Sequence, residues 1–113
     1  MSRGFVVRKP LVEFPLWEKM AEGRAVFSFD LEMTARCNLD CRHCYINLPA
    51  GDRAAKKSEL GVDEIGRLGG EAAALGAVWC LITGGEPLLR KDFFDVYRAL
   101  HRRGLLLSLF TNA

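Results

Sequence analysis

The sequence predicts an α/β fold in which strands and helices alternate in the order β-α-β-α-β. Three short apolar segments have the composition of strands, and the two segments between them repeat apolar residues at helical spacing. Because such alternation requires a crossover after each strand, the strands are expected to be parallel and the crossovers right-handed. With 113 residues, the chain is long enough for one small domain with its own core.

The first predicted strand covers residues 26–34 and has one apolar and one polar face. Phe29 and Leu31 alternate with Asp30 and Glu32, so the two kinds of side chain point to opposite sides. A buried parallel strand is normally apolar on both faces. The polar face is therefore expected to meet water or a polar cavity.

The remaining elements follow from periodicity and from glycines that end helices. Gly76 and Gly104 each stop a predicted helix. Residues 1–25 are predicted to be a lead-in segment packed against the main domain, with a short helix opened by Pro15. The main domain, residues 26–113, continues with a loop over 47–60, a helix over 62–75, a strand over 77–83, a helix over 92–103 and a strand over 105–111.

Composition narrows the class of protein. Half of the residues are apolar and 27% are charged, as in a globular protein, and the net charge of +2 is too small to argue for binding to nucleic acid or to a membrane surface. Of the four cysteines, three lie within eight positions and cannot easily pair with one another, and Cys80 falls in a predicted buried strand. The pattern favours a cytoplasmic metal-binding protein over a disulfide framework.

The most informative motif is the cysteine loop, residues 37–47, which directly follows the first strand. Cys37, Cys41 and Cys44 have the spacing C-x3-C-x2-C and could hold three irons of a cubane cluster. Ordinary electron-carrying clusters use four cysteines, so a fourth iron would be open to a substrate or cofactor. The alternative is zinc with His43 as fourth ligand. Zinc sites usually use two separated ligand pairs, and His43 directly precedes Cys44, so both reaching one metal would be strained.

A second motif, Gly84-Gly85-Glu86-Pro87, follows the strand predicted over residues 77–83; we call residues 84–87 the glycine loop. Two glycines let a backbone approach a ligand and expose its N–H groups, and the glutamate could accept from an ammonium. The motif lies at the same carboxyl edge as the cysteine loop, where ligands bind in parallel βα architectures. On its own, a tight turn would be the simpler interpretation.

Together these motifs resemble those of the radical S-adenosylmethionine (SAM) enzymes, over about residues 26–113. Glu32-Met33-Thr34 before the cysteines and Tyr45 after them are most similar to the peptide-maturase and cofactor-biosynthesis branch. The resemblance implies that the α/β chain forms the N-terminal half of a partial (β/α)6 TIM-like barrel. It also implies that Cys37, Cys41 and Cys44 ligate a [4Fe-4S] cluster whose open iron is chelated by SAM.

The resemblance also implies roles for residues outside the cysteine set. Gly84, Gly85 and Glu86 would meet the amino group of SAM, and His43 would lie near its adenine. Asn112 matches the T-N-G that often ends the family's third strand, although alanine replaces the glycine here. The implied chemistry is reductive cleavage of SAM to a 5′-deoxyadenosyl radical. That radical would abstract hydrogen from a peptide or small-molecule substrate, with flavodoxin or ferredoxin as electron donor.

Several further expectations follow from this resemblance and from the pattern of the strands. Glu32 and Thr34 would face the lumen of the barrel, where they could touch SAM or the substrate, and simple exposure to solvent is the alternative. Trp79 and the Phe93-Phe94 pair are expected in the core. Because the chain stops after the third predicted strand, it is expected to be an amino-terminal fragment without turnover of its own. The second hypothesis is a non-catalytic iron–sulfur or zinc-binding module.

Overall fold

A computed structural model describes residues 8–113. The predicted lead-in segment is therefore described from residue 8 only, and its first seven residues lie outside the described part. A 3-10 turn over Leu11–Glu13 precedes helix α1 (Leu16–Gly23), which begins directly after Pro15 as the sequence predicts. No residue of α1 is buried. Trp17 of this helix contacts the ring of Phe27, with centroids 5.7 Å apart, so α1 rests on the residues just before the first strand.

The rest of the chain contains the predicted alternation and two additional short pairings. Its elements, in chain order, are β1 (Ser28–Glu32), β2 (Arg36–Cys37), β3 (Leu48–Pro49), α2 (Arg53–Ser58), α3 (Val62–Ala74), β4 (Trp79–Thr83), a 3-10 turn (Pro87–Leu89), α4 (Phe93–His101) and β5 (Leu106–Leu109).

The main sheet has three parallel strands in the order β1-β4-β5. Asp30 of β1 lies opposite Leu81 of β4, which lies opposite Ser108 of β5. Helix α3 is the last element before β4 in the connection from β1, and α4 lies in the connection from β4 to β5. The predicted parallel βαβαβ order is confirmed. All three carboxyl ends therefore open at one edge of the sheet, the edge at which both sequence motifs lie.

The core lies between this sheet and helices α3 and α4. Its largest fully buried side chains include Ile65, Ile82, Val96 and Leu100, contributed by α3, β4 and α4. Gly69 of α3 is buried, and a Cβ there would lie 2.8 Å from Leu100 Cδ2. A glycine that weakens an isolated helix is thus used here to bring α3 and α4 together.

Three expectations about local structure are wrong. Residues 53–58 of the predicted loop form α2, because the Asp52 carboxylate accepts a hydrogen bond from Ala55 N at 2.8 Å and caps the helix. Trp79 is 43% exposed because it lies on the face of β4 opposite the helices, with its indole N–H donating to Ser108. Phe94 is 69% exposed because the buried stripe of α4 runs through its neighbour Phe93 and through Val96.

Among the helices formed by residues 8–113, none has the length and apolar character needed to cross a membrane.

The buried thiol in β4 behaves differently from the three on the cysteine loop. Cys80 has no exposed surface, and burial, reinforced by the charge of Asp30, raises its pKa to about 11. Because the thiolate is the reactive form, we expect iodoacetamide to label Cys37, Cys41 and Cys44 of the metal-free native chain and to spare Cys80. Peptide mass spectrometry at pH 8 checks this. Labelling in denaturant is the control and should reach all four, whereas rapid native labelling of Cys80 would contradict the packing described.

Candidate functional site

The three clustered cysteines lie on a loop whose two ends are joined at its base. Strands β2 and β3 pair in parallel, with Arg36 opposite Leu48, and Leu48 N donates to Ala35 O at 2.8 Å. Between the two strands the chain has no regular structure apart from a turn in which Cys44 N donates to Cys41 O at 3.0 Å. The cysteine loop is therefore largely exposed and irregular, but its two ends are held together by the pairing of β2 with β3.

The thiols on this loop are accessible and carry no disulfide. Cys41 is exposed, and Cys37 and Cys44 are half-buried. The sulfur of Cys37 already receives N–H groups, from Leu39 N at 3.4 Å and from Asn112 Nδ2 at 3.7 Å. Three free thiols in one short loop are the donor set of an iron–sulfur cluster, so the residues fit that group by their chemistry.

The candidate ligands on the cysteine loop do not form a site for a single metal ion. Within residues 8–113, no three histidine, cysteine or acidic side chains lie close enough together to hold a metal ion. His43, the candidate fourth ligand for zinc and the candidate adenine neighbour, is exposed on the same loop.

The glycine loop is bonded to the base of the cysteine loop through the backbone. Gly85 N donates to Thr34 O at 2.7 Å, and Glu86 N donates to Arg36 O at 2.8 Å. A Cβ at Gly85 would lie 2.6 Å from the carbonyl carbon of Arg36 and 2.9 Å from Ala35 O. These distances are too short for any side chain.

Gly84 is required for two reasons at the same junction. It has a φ of +147°, which side-chain-bearing residues rarely adopt, and a Cβ there would overlap the carbonyl oxygen of Thr34. The close approach that the glycines permit is therefore an approach to the strand that leads into the cysteine loop. This junction brings the two sequence motifs together.

Glu86 is buried, and its carboxylate is used within the protein. Its Oε1 accepts from Leu88 N at 3.0 Å and from Thr111 Oγ1 at 2.6 Å, and its Oε2 accepts from Asn112 N at 2.8 Å. Burial alone would raise the pKa of Glu86, but the hydrogen bonds from Thr111, Asn112 and Leu88 outweigh it and hold this pKa below its usual value.

Asn112 also lies beside the cysteine loop. Its Nδ2 donates to Asn38 Oδ1 at 2.9 Å, in addition to its contact with Cys37. Of the residues singled out in the sequence, the structure thus brings together Cys37, the glycine loop and Asn112. Cys41, Cys44 and His43 lie further out on the same loop.

A buried ion pair that the sequence did not reveal supports the base of the cysteine loop. Arg36 Nε and Nη2 donate to the two carboxylate oxygens of Glu59 at 2.7 and 3.2 Å, and Arg36 Nη1 donates to Ala50 O at 3.1 Å. The two side chains are only 9% and 11% exposed. Because Arg36 adjoins Cys37 and Glu59 follows α2, the pair ties the two ends of the 37–59 segment together.

Thr34 takes part in the same network, and this corrects an expectation. Thr34 is 3% exposed and its hydroxyl donates to Glu59 Oε1, so it does not face a lumen. Glu32 is exposed on the face predicted for it and accepts a hydrogen bond from the Tyr45 hydroxyl. Polarity alone could not separate these two residues, because the carboxylate that buries Thr34 comes from 25 residues further along the chain.

A second buried arginine, also missed in the sequence, connects the segment that follows the glycine loop to the residue that follows β1. Arg90 Nη1 donates to Met33 O at 2.9 Å, while its Nε and Nη2 donate to the two oxygens of Asp92. The only signal in the sequence is an arginine and an aspartate two positions apart, which is common on protein surfaces. Buried charges of the sort formed by Arg36 and Arg90 keep their partners because an unpaired one would be strongly unfavourable.

The chain can now be compared with known proteins. A family model described as the Radical SAM superfamily matches residues 31–113. Among curated proteins, the chain is 37% identical over 92 residues to a GTP 3′,8-cyclase of Edwardsiella ictaluri, covering 79% of this chain and 27% of the relative. It is 42% identical over 76 residues to a probable GTP 3′,8-cyclase of Methanopyrus kandleri, covering 67% and 24%.

A relative with a different name matches nearly as well. An AdoMet-dependent heme synthase of Methanosarcina barkeri is 38% identical over 85 residues, covering 72% of this chain and 22% of the relative. The chain thus spans about a quarter of the length of these curated relatives. No solved structure matches the chain.

The junction between the two loops predicts a sharp difference between two glycines. Gly85→Ala should lower the free energy of unfolding by about 1–3 kcal/mol or more. The new methyl group would overlap the backbone of Ala35 and Arg36, which is held by its own hydrogen bonds. Gly51→Ala is the matched control, since a Cβ there meets nothing within 4 Å. Urea denaturation of both variants provides the measurement. Equal stabilities would show that the backbones are not in contact.

The buried ion pair predicts a specific dependence on pH. Burial would raise the pKa of Glu59, but the hydrogen bonds from Arg36 and Thr34 outweigh burial and lower this pKa. A carboxylate with a lowered folded pKa stabilises fully above its unfolded pKa of about 4.3 and loses this contribution as pH falls through the folded value. Glu59→Gln should therefore destabilise the chain at pH 7, by up to about 3–5 kcal/mol. It should also flatten the loss of stability below about pH 4.3.

The control for this titration is an exposed pair of the same chemistry. Glu71 pairs with Arg67 at 2.7 Å, but the two side chains are 58% and 64% exposed. Glu71→Gln should change the stability at pH 7 by less than about 1 kcal/mol and leave the acid limb unchanged. Chemical denaturation between pH 3 and 7 distinguishes the two variants. An acid limb of Glu59→Gln identical to that of the unmutated chain would rule out the proposed linkage.

Proposed function

Because this chain belongs to the radical SAM superfamily, we propose that it binds a [4Fe-4S] cluster through Cys37, Cys41 and Cys44 and binds SAM beside that cluster. Members of this family normally bind both groups and act on a substrate with the help of an electron donor. The observation that supports the proposal most directly is the bonded junction between the cysteine loop and the glycine loop. Two motifs that are 40 residues or more apart in the sequence meet at one edge of the sheet.

The proposed division of roles follows from the positions of the residues. Three thiolates would leave one iron without a protein ligand, and SAM would occupy that position. The backbone of residues 84–86 would contact the amino group of SAM. Asn112, which follows β5, would also contact SAM, and His43 would lie near the adenine. When bound, the cluster supplies the electron for reductive cleavage of SAM. The protein would position the two groups relative to each other.

The wider architecture is part of the same proposal. We propose that residues 26–113 form the N-terminal portion of the core domain and that the three-stranded sheet is half of a partial (β/α)6 barrel. The exposed polar face of β1, with Asp30 and Glu32, would then face the lumen. Residues 8–25 would be a lead-in segment outside that barrel.

The names of the relatives bear on the substrate. GTP 3′,8-cyclase and AdoMet-dependent heme synthase are both names of enzymes with small-molecule products. We therefore propose a small-molecule substrate and a role in cofactor biosynthesis, with peptide maturation as the alternative. A reduced flavodoxin or ferredoxin would supply the electron.

Cluster binding can be tested on the chain alone. After anaerobic reconstitution, the unmutated chain should hold about four iron and four sulfide, and single Cys→Ala substitutions at 37, 41 and 44 should abolish the cluster. Cys80→Ala is the matched control and should retain it, because that thiol is buried in β4. Metal analysis and electron paramagnetic resonance of the reduced protein give the readout. One zinc per chain, without iron, would instead indicate the non-catalytic module.

A further inference from the structure

The side chain of Glu86 has a role that differs from the direct contact with SAM expected from the sequence. We propose that Glu86 is a positioning residue, which fastens the end of β5 to the glycine loop and thereby holds Asn112 against the cysteine loop. This inference rests on the proposed function, because the position that Glu86 maintains is the proposed SAM site. It concerns residues of this chain and can also be tested without any cofactor.

Glu86 already has several hydrogen-bond partners within the protein. Its two oxygens accept three hydrogen bonds, from Leu88 N, Thr111 Oγ1 and Asn112 N, at 2.6–3.0 Å. The residue is 3% exposed. Three of the roughly four acceptor sites of the carboxylate are therefore taken within the protein, and burial leaves an ammonium group from a ligand little access to the remaining one.

The pairing of β5 with the sheet ends just before the residues that Glu86 binds. Pairing with β4 continues as far as Phe110, whose N–H donates to Ile82 O at 2.9 Å. The next two residues, Thr111 and Asn112, are the ones that Glu86 binds. Glu86 therefore accepts the hydrogen bonds of the two residues that follow the last backbone pairing of β5 with β4. Its bond to Leu88 N fixes the carboxylate within its own loop.

The segment that Glu86 holds is in contact with the cysteine loop. With its backbone N–H held by Glu86, Asn112 places its side chain 2.9 Å from Asn38 Oδ1 and 3.7 Å from Cys37 Sγ. The backbone N–H of Glu86 itself donates to Arg36 O, directly before Cys37. One residue thus connects the end of β5 and the base of the cysteine loop. Releasing its carboxylate would free Asn112 from the proposed ligand contacts.

The experiment compares two substitutions whose effects on SAM binding would differ if Glu86 contacted SAM directly. Glu86→Gln removes the charge, whereas Thr111→Val keeps the charge and removes only one donor to it. On the reconstituted chain, both should weaken SAM binding by a similar factor, about tenfold, the size of one lost hydrogen bond to a charged group. The double variant should be little weaker than Glu86→Gln alone. The change in the resonance spectrum of the reduced cluster on addition of SAM provides the affinity.

Two further variants serve as controls. Ser108→Ala removes a hydroxyl from β5 that binds Trp79 rather than Glu86, and it should leave SAM affinity unchanged. Thr111→Ser retains the donor and should restore the affinity lost in Thr111→Val. If Glu86→Gln weakens binding while Thr111→Val does not, Glu86 contacts SAM directly and the proposal is wrong. If both variants only lower the unfolding midpoint, Glu86 has no positioning role.

A measurement on the cofactor-free chain separates failure of this inference from failure of the proposed function. The amide proton of Asn112 should resonate downfield in nuclear magnetic resonance spectra because it is bound to a carboxylate. Glu86→Gln should shift it upfield and also perturb the amides of Cys37 and Asn38. If the unmutated chain binds no cluster, these shifts still support the tether. Unchanged amides in Glu86→Gln would overturn it.

Discussion

The structure depends on one junction, at which the backbone of residues 34–36 meets the backbone of residues 84–86. Two hydrogen bonds, from Gly85 N to Thr34 O and from Glu86 N to Arg36 O, hold the exits of two adjacent parallel strands together beyond the sheet. The contact is so close that only glycine fits at positions 84 and 85. Because the cysteine loop begins at one side of this junction, its base is fixed relative to the glycine loop even though Cys41 is exposed and Cys37 and Cys44 are only half-buried.

Buried polar side chains surround this junction, and each has partners. Arg36 is paired with Glu59, Arg90 with Asp92 and with the carbonyl of Met33, and Glu86 with the residues that follow β5. Within residues 8–113, no buried side-chain nitrogen or oxygen lacks a hydrogen bond. Networks of this kind favour one arrangement strongly, because breaking any member leaves a buried charge or donor unpaired. The buried charged residues therefore hold the base of the cysteine loop in one arrangement, and the proposed cluster ligands lie on the loop above it.

Much of this architecture follows from local sequence rules, and the rest depends on contacts between distant residues. The parallel order, both long helices and their glycine stops were predictable because Gly76 and Gly104 and the apolar repeats act locally. Helix α2 was missed because it buries only Ala55 and so has no apolar periodicity. The Arg36–Glu59 pair joins residues 23 positions apart, and no local pattern distinguishes such a pair from surface charges. The sequence indicates Gly84 and Gly85 as part of a motif, but it does not indicate their contact with the backbone of residues 34–36.

Native-state hydrogen exchange on the cofactor-free chain tests the central claim most directly, because it measures whether the junction exists before any cluster binds. If the two loops form one unit, the amides of Gly85 and Glu86 should exchange as slowly as those in the middle of β4, since all would be released by the same opening. Slow exchange in β4 together with rapid exchange at Gly85 and Glu86 would contradict the account, because the glycine loop would then move independently of the cysteine loop.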